Sequence, residues 1–224
     1  MENSASLLLM PDISGFTKFV HETELQHSQH IISHLLETLI DANRLDLTVA
    51  EVEGDAVLFY KEGQVPAAAQ VLAQAQHMFA AFHGWAAEFQ RTCACSCGAC
   101  QAVGRLTLKV VAHAGRLGFT TVHQHRKPFG EAVVVLHRLL KNDVPSHEYL
   151  LLTDDLLGAE WSAAAAWAGA QHQRASYAGL GTVGYVHVSL RPPGAAPTPA
   201  SAAFSFRGLW EQLVARLRGR PALN

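Results

Sequence analysis

The chain is short of dispersed cysteine, of charge and of long apolar runs, and each shortage excludes something. Its four cysteines all fall between Cys93 and Cys100. No pairing framework is spread through the sequence, which argues against a small disulfide-stapled secreted domain. Charged residues make up 16%, with 17 basic side chains against 19 acidic ones and a formal net charge of −2. Without a basic excess the chain has no electrostatic footing on a phosphate backbone, so nucleic acid is not an expected partner. No apolar run reaches the roughly 18 residues of a membrane-spanning helix, and no basic-then-apolar leader opens the sequence. The expected location is cytoplasmic.

What remains is ample for a core. Hydrophobic residues make up 49% of 224, which fits one ordinary folded domain. The apolar run Leu7–Met10 breaks at Asp12, and Ser14, Gly15 and an apolar-periodic segment from Phe16 follow. That pattern is a buried strand delivering a carboxylate into a tight turn that opens a helix. Backbone N–H groups of Ile13, Ser14, Gly15 and Phe16 at such a turn favour phosphate. A second acidic element follows, where Asp55 succeeds Gly54 at the bend between two strand-like runs. Two hard oxygen ligands beside a phosphate-binding turn suit Mg²⁺ or Mn²⁺. Taken singly, Asp12 is an ordinary helix cap and Asp55 an ordinary turn residue.

Periodicity predicts helical faces at Phe16–Val20 and Ile31–Ile40, with a bend in the polar stretch His21–His30. It predicts strands at Leu45–Glu53 and Ala56–Lys61, then a long helix from Pro66 to the cysteines. A central strand at Leu106–Ala114, a return strand at Thr120–His123 and a helix at Glu131–Leu140 come next. Tyr149–Thr153 reads as a strand, Asp154–Gly158 as a helical turn, and Ser176–Leu190 as a closing hairpin turning near Gly179–Gly184. This order predicts an α+β fold with helices over a mostly antiparallel sheet. Residues 1–190 are expected to form the domain, 191–204 a Pro/Ala-rich linker, and 205–224 an amphipathic helix. That helix is expected to pack on its own domain or on a dimer mate in preference to an anionic membrane.

The combination Asp12-Ile13-Ser14-Gly15-Phe16-Thr17 with a later Gly54-Asp55-Ala56 hairpin resembles the class III nucleotidyl cyclase homology domain. Val111–Gly115 and Gly130–Leu139 fall where that family has its later motifs, and the likeness runs from about Ser6 to Leu190. The nearest likeness is to a bacterial branch with a Cys-rich insertion and a His-Arg-Leu-Leu-Lys-Asn segment, here His137–Asn142. The resemblance implies a ferredoxin-like core, a homodimer with sites at the subunit interface, and a nucleoside triphosphate as ligand. It implies that Asp12 and Asp55 hold the divalent ions, that Glu51 and Lys127 read the base, and that Arg138 steadies the transition state. A carboxylate accepts from N1–H and the amine of guanine, and an ammonium donates to its O6, so GTP is expected over ATP. Glu53, on the same strand as Glu51, stands where the family has an apolar residue. Val134 and Ala178 stand where the family has an Asn and a Lys, so the transition-state set is incomplete and slow or absent turnover is expected.

Cys93, Cys95, Cys97 and Cys100 form the remaining chemical oddity. Four thiols in eight residues match the preference of Zn²⁺ for thiolate, as a single wrapped ion, one shared with a histidine, or one shared with a second subunit. Reduced or redox-active thiols are the other reading. Three functions stand open at this point. They are a nucleotide cyclase, a non-catalytic nucleotide-binding or regulatory module on the same fold, and a metal or redox sensor built on the Cys loop.

Overall fold

The computed structural model describes residues 4–191. The linker and amphipathic helix expected from 191–204 and 205–224 lie, but for Arg191, outside the described residues. In chain order the elements are β1 (Ser6–Ser14), α1 (Phe16–Glu22), α2 (Leu25–Asp41), β2 (Thr48–Glu53), β3 (Ala56–Lys61), α3 (Ala68–Thr92) and α4 (Gly98–Ala102). There follow β4 (Thr107–Gly115), β5 (Gly118–Val122), β6 (His125–Phe129), α5 (Glu131–Leu139), β7 (Tyr149–Thr153), α6 (Asp154–Leu157), α7 (Trp161–Ala165), β8 (Gln171–Tyr177) and β9 (Gly181–Ser189). The main sheet runs β2-β3-β1-β4-β7-β9-β8, and β5-β6 forms a separate ribbon. Among the described residues only the β4–β7 pairing is parallel. This is the α+β, mostly antiparallel architecture that the element order predicts.

The apolar run in β1 is continuous because both its faces are covered, as central strands require. Leu7, Leu9 and Ile13 enter a core with α2, α3 and α4, built around Ile31, Leu35, Val71, Met78 and Phe82. Leu8 and Met10 face the opposite way, into a second core with Leu136 and Leu139 of α5, Leu58 of β3 and Tyr185 of β9. Helices therefore cover both sides of the strand that carries Asp12.

The structure refines several boundaries. The bend expected within His21–His30 is a break at Thr23–Glu24 between α1 and α2. The strand expected from Leu45 begins at Thr48, because residues 43–47 form an irregular loop. Its closure comes from Asn43, whose side chain donates to the Leu47 carbonyl (2.8 Å) and accepts the Leu47 N–H (3.1 Å). The Thr120–His123 return strand exists, but it pairs with β6 and not with the main sheet. The sequence of β6, His-Arg-Lys-Pro-Phe, has no period-two apolar pattern to read. The closing hairpin starts at Gln171, since β8 is a mostly polar edge strand with alternating exposure.

Candidate functional site

Asp12 lies two residues before the end of β1, opposite Ala56 of β3 on one side and Lys109 of β4 on the other. Lys109 interrupts the apolar run of the central strand β4. Its Nζ stands 3.3 Å from Asp12 Oδ1 and donates to the Leu140 carbonyl at 3.0 Å. Asp55 sits in the two-residue turn between β2 and β3, after Gly54. Gly54 takes a φ of 63° there, which suits the first central position of a tight hairpin. The Ile13 N–H donates to the Asp55 carbonyl at 2.9 Å, fastening the hairpin to the strand beside Asp12.

Burial and the Asp12 charge set the acidity of the pair. Burial raises the Asp12 pKa above the usual carboxylate range, and the Lys109 ammonium only partly opposes this. Burial, and then the Asp12 charge, push Asp55 up to about 6, again with Lys109 in opposition. Two sequestered acids and one lysine form a site short of positive charge.

Glu51 and Lys127 also meet. Lys127 Nζ donates to Glu51 Oε1 at 2.8 Å, although 76 residues separate them. The ribbon is pinned for this contact by its neighbour Arg126, which bonds Tyr60 Oη (3.2 Å) and Glu62 (2.9 Å) and covers the Phe119 ring at 3.4 Å. Glu53 is engaged by α5, with both its oxygens 3.0–3.1 Å from His137 Nε2, while His137 Nδ1 faces the Val133 carbonyl at 2.8 Å. Arg138 is the next residue along α5 and is exposed, as are Val134 on the same helix and Ala178 in the β8–β9 loop. Of the expected phosphate cradle, Ile13 has already given its N–H to Asp55. Ser14 has a buried Oγ without a partner, and Gly15 holds a φ of 92° before α1.

The cysteines gather apart from the acids, but not as the sequence alone groups them. Cys95, Cys97 and Cys100 converge on His27 of α2, while Cys93 stays outside this group. An open cleft of about 590 Å³ is lined by His27, Cys95 and Cys100 together with Cys93, His30 and Phe89. Sequence reasoning assigned no part to Lys109 and His137, and gave His27 no place beside the cysteines. The lysine was detectable as a charge interrupting an apolar strand. The helical spacing of His27 with His30 and His34 does not point to the cysteines, and nothing local pairs His137 with Glu53, since the partners are about 70 and 84 residues away.

The family model described as "Protein of unknown function (DUF2652)" matches residues 32–149. The chain belongs to this family. It is 32% identical over 123 residues to the uncharacterized protein Rv2561/Rv2562 of Mycobacterium tuberculosis, covering 55% of this chain and 57% of that one. The chain thus matches little more than half the length of that relative. Among solved structures, it is similar to the guanylyl cyclase Cya2, with a TM-score of 0.64 and 14% identity over 88% of this chain and 98% of that one. It is also similar to the adenylyl cyclase CyaB from P. aeruginosa, with a TM-score of 0.58 and 13% identity over 87% and 98%. A third is the guanylate cyclase domain of RhGC from Catenaria anguillulae, solved in complex with GTP, with a TM-score of 0.54 and 17% identity over 85% and 98%. At these identities the likeness establishes the fold: this DUF2652 member has the architecture of a class III cyclase domain.

Proposed function

We propose that the chain binds a nucleoside triphosphate together with Mg²⁺ or Mn²⁺ on the sheet face bearing Asp12 and Asp55, with guanine the preferred base. The observation that carries this reading is the placement of Asp12 beside the Asp55 turn, where burial and then the Asp12 charge push Asp55 up to about 6 against a backbone hydrogen bond and the Lys109 charge. A divalent cation fits such a deficit, and carboxylate oxygens are the ligands that Mg²⁺ and Mn²⁺ favour. When bound, the ion polarises phosphate oxygens and neutralises their charge.

The chain's own groups do the rest. The unpartnered Ser14 Oγ offers a hydrogen bond to a phosphate oxygen, beside the backbone of Gly15 and Phe16. Lys109, within reach of both aspartates, adds a fixed positive charge. Glu51 and Lys127 hold each other until a base edge takes both, with Glu51 accepting from guanine N1–H and Lys127 donating to O6. The GTP complex known for a similarly folded domain supports the ligand class.

Arg138 remains the candidate transition-state donor. Val134 and Ala178 leave two further donor positions empty of polar groups, and each such loss costs roughly 10²–10³ in rate. Those two residues, with Lys109 already paired to Asp12, favour a second reading in which the domain binds nucleotide and signals without turnover.

Calorimetry with Mn²⁺ and each triphosphate, followed by assay for cyclic product, tests both. Tighter binding of GTP than ATP is expected, with Mn²⁺ affinity falling by well over roughly tenfold in Asp12→Asn and Asp55→Asn, since losing even an outer-shell partner costs that much. Unchanged Mn²⁺ binding in both variants overturns the metal assignment, and equal affinity for ATP and GTP overturns the base assignment. Cyclic product above background selects the enzyme reading over the binding module.

A further inference from the structure

We propose that His27, Cys95, Cys97 and Cys100 form a closed four-coordinate Zn²⁺ site that clips the start of α2 to the loop between α3 and α4. His27 Nδ1 lies 3.1 Å from Cys97 Sγ and 3.6 Å from both Cys95 Sγ and Cys100 Sγ. All four ligand atoms lie within 4.8 Å of one another. Hydrogen bonding alone does not account for this arrangement. An imidazole nitrogen has either one hydrogen or one lone pair in the ring plane, so it satisfies one sulfur and not three. An ion at the centre satisfies all of them. With Zn–S near 2.3 Å and Zn–N near 2.0–2.1 Å, tetrahedral ligand atoms stand roughly 3.5–3.8 Å apart, close to the spacing found.

The surroundings are those of a built site. Cys97 and Cys100 have the Cys-x₂-Cys spacing of a zinc knuckle, and the Cys100 N–H points at Cys97 Sγ at 3.5 Å. Glu24, three residues before His27, accepts the N–H groups of Gly98 and Ala99 at 3.1 and 3.0 Å. The same two segments are therefore held together a second time, and the loop is oriented towards the imidazole. Cys100 is buried in the core shared by α2 and α3, with Ala99, Ala102 and Val103 beside it. All four positions are filled by protein, which is the mark of a structural and not a catalytic zinc. Cys93 is the thiol left over.

The site is independent of the aspartates, and so is its test. The 224-residue chain, purified under reducing conditions without chelator, is analysed for metal and by X-ray absorption at the zinc edge. One zinc per chain is expected, with three sulfurs and one nitrogen around it. His27→Ala and Cys97→Ser are expected to lose the zinc, and Cys93→Ser to keep it. If His27→Ala fails to fold, thiol titration of the unaltered protein decides the matter: one cysteine should react before chelation and four after it. Folded protein with four reduced thiols and no zinc overturns the proposal. So does a shell of four sulfurs without nitrogen, or loss of zinc in Cys93→Ser.

Discussion

Lys109 is the side chain on which the two aspartates lean. In Lys109→Met the largely buried Asp12 loses its only described counter-charge, and a lost bond to a charged group costs about 1–3 kcal/mol. A lower urea midpoint is expected at neutral pH in chelator, with part of the loss returned by Mn²⁺. The pH dependence has a definite sign. Asp55 binds its proton more tightly in the fold, at about 6, than at the ordinary 3.8. Its contribution to stability is therefore full below 3.8 and is lost as pH rises through about 6. Metal-free Asp55→Asn should lack that decline, which equilibrium unfolding at pH 4, 5, 6 and 7 would show. His113 works in the other direction. Burial lowers its pKa below 6.5 against a weaker opposing pull from Asp155, and its Nδ1 meets Thr153 Oγ1 at 2.8 Å. Its stabilisation is present above 6.5 and is lost as pH falls below it, so His113→Gln should flatten the acid limb of the stability curve.

At the scale of elements, the site depends on α5 approaching β4 closely. A Cβ built on Gly115 would stand 2.7 Å from Ala132 Cβ and 3.3 Å from His113 Nε2. Neither neighbour is the end of a flexible chain, so Gly115→Ala must displace the helix. Overpacking of this kind costs about 1–3 kcal/mol. A lower melting temperature is expected, restored in part by adding Ala132→Gly, and no change in the single variant would show that α5 has slack. Elements were legible in the sequence where the signal was local. The apolar run before Asp12, the Gly54-Asp55 bend and the apolar periodicity of α3, which begins at Ala68 two residues after Pro66, each carry their own pattern. β6 and the start of β8 did not, because both are largely exposed and carry no alternation of apolar residues. The meeting of Asp12 with Asp55 came from a family likeness, and that of Glu51 with Lys127 likewise. No local rule encodes either pairing, nor Lys109 opposite Asp12, since each is set by register between distant strands.

At the scale of the whole molecule, the homodimer that the resemblance implies is a further proposal. The ribbon and α5 expose Val122, Phe129 and Val134 on the side of the sheet that carries the acids. Sedimentation equilibrium is expected to show a dimer that Phe129→Asp weakens, and a monomer at all concentrations for the unaltered chain would rule it out. The central place of β1 has another consequence, this time for biosynthesis. Its nine residues leave the ribosome some forty residues ahead of β3 and some ninety ahead of β4, yet they need both as neighbours. Until then an oily segment waits uncovered in the nascent chain, open to aggregation. Slowing translation just before Thr107 should lengthen that exposure and raise the share of product lost to inclusion bodies.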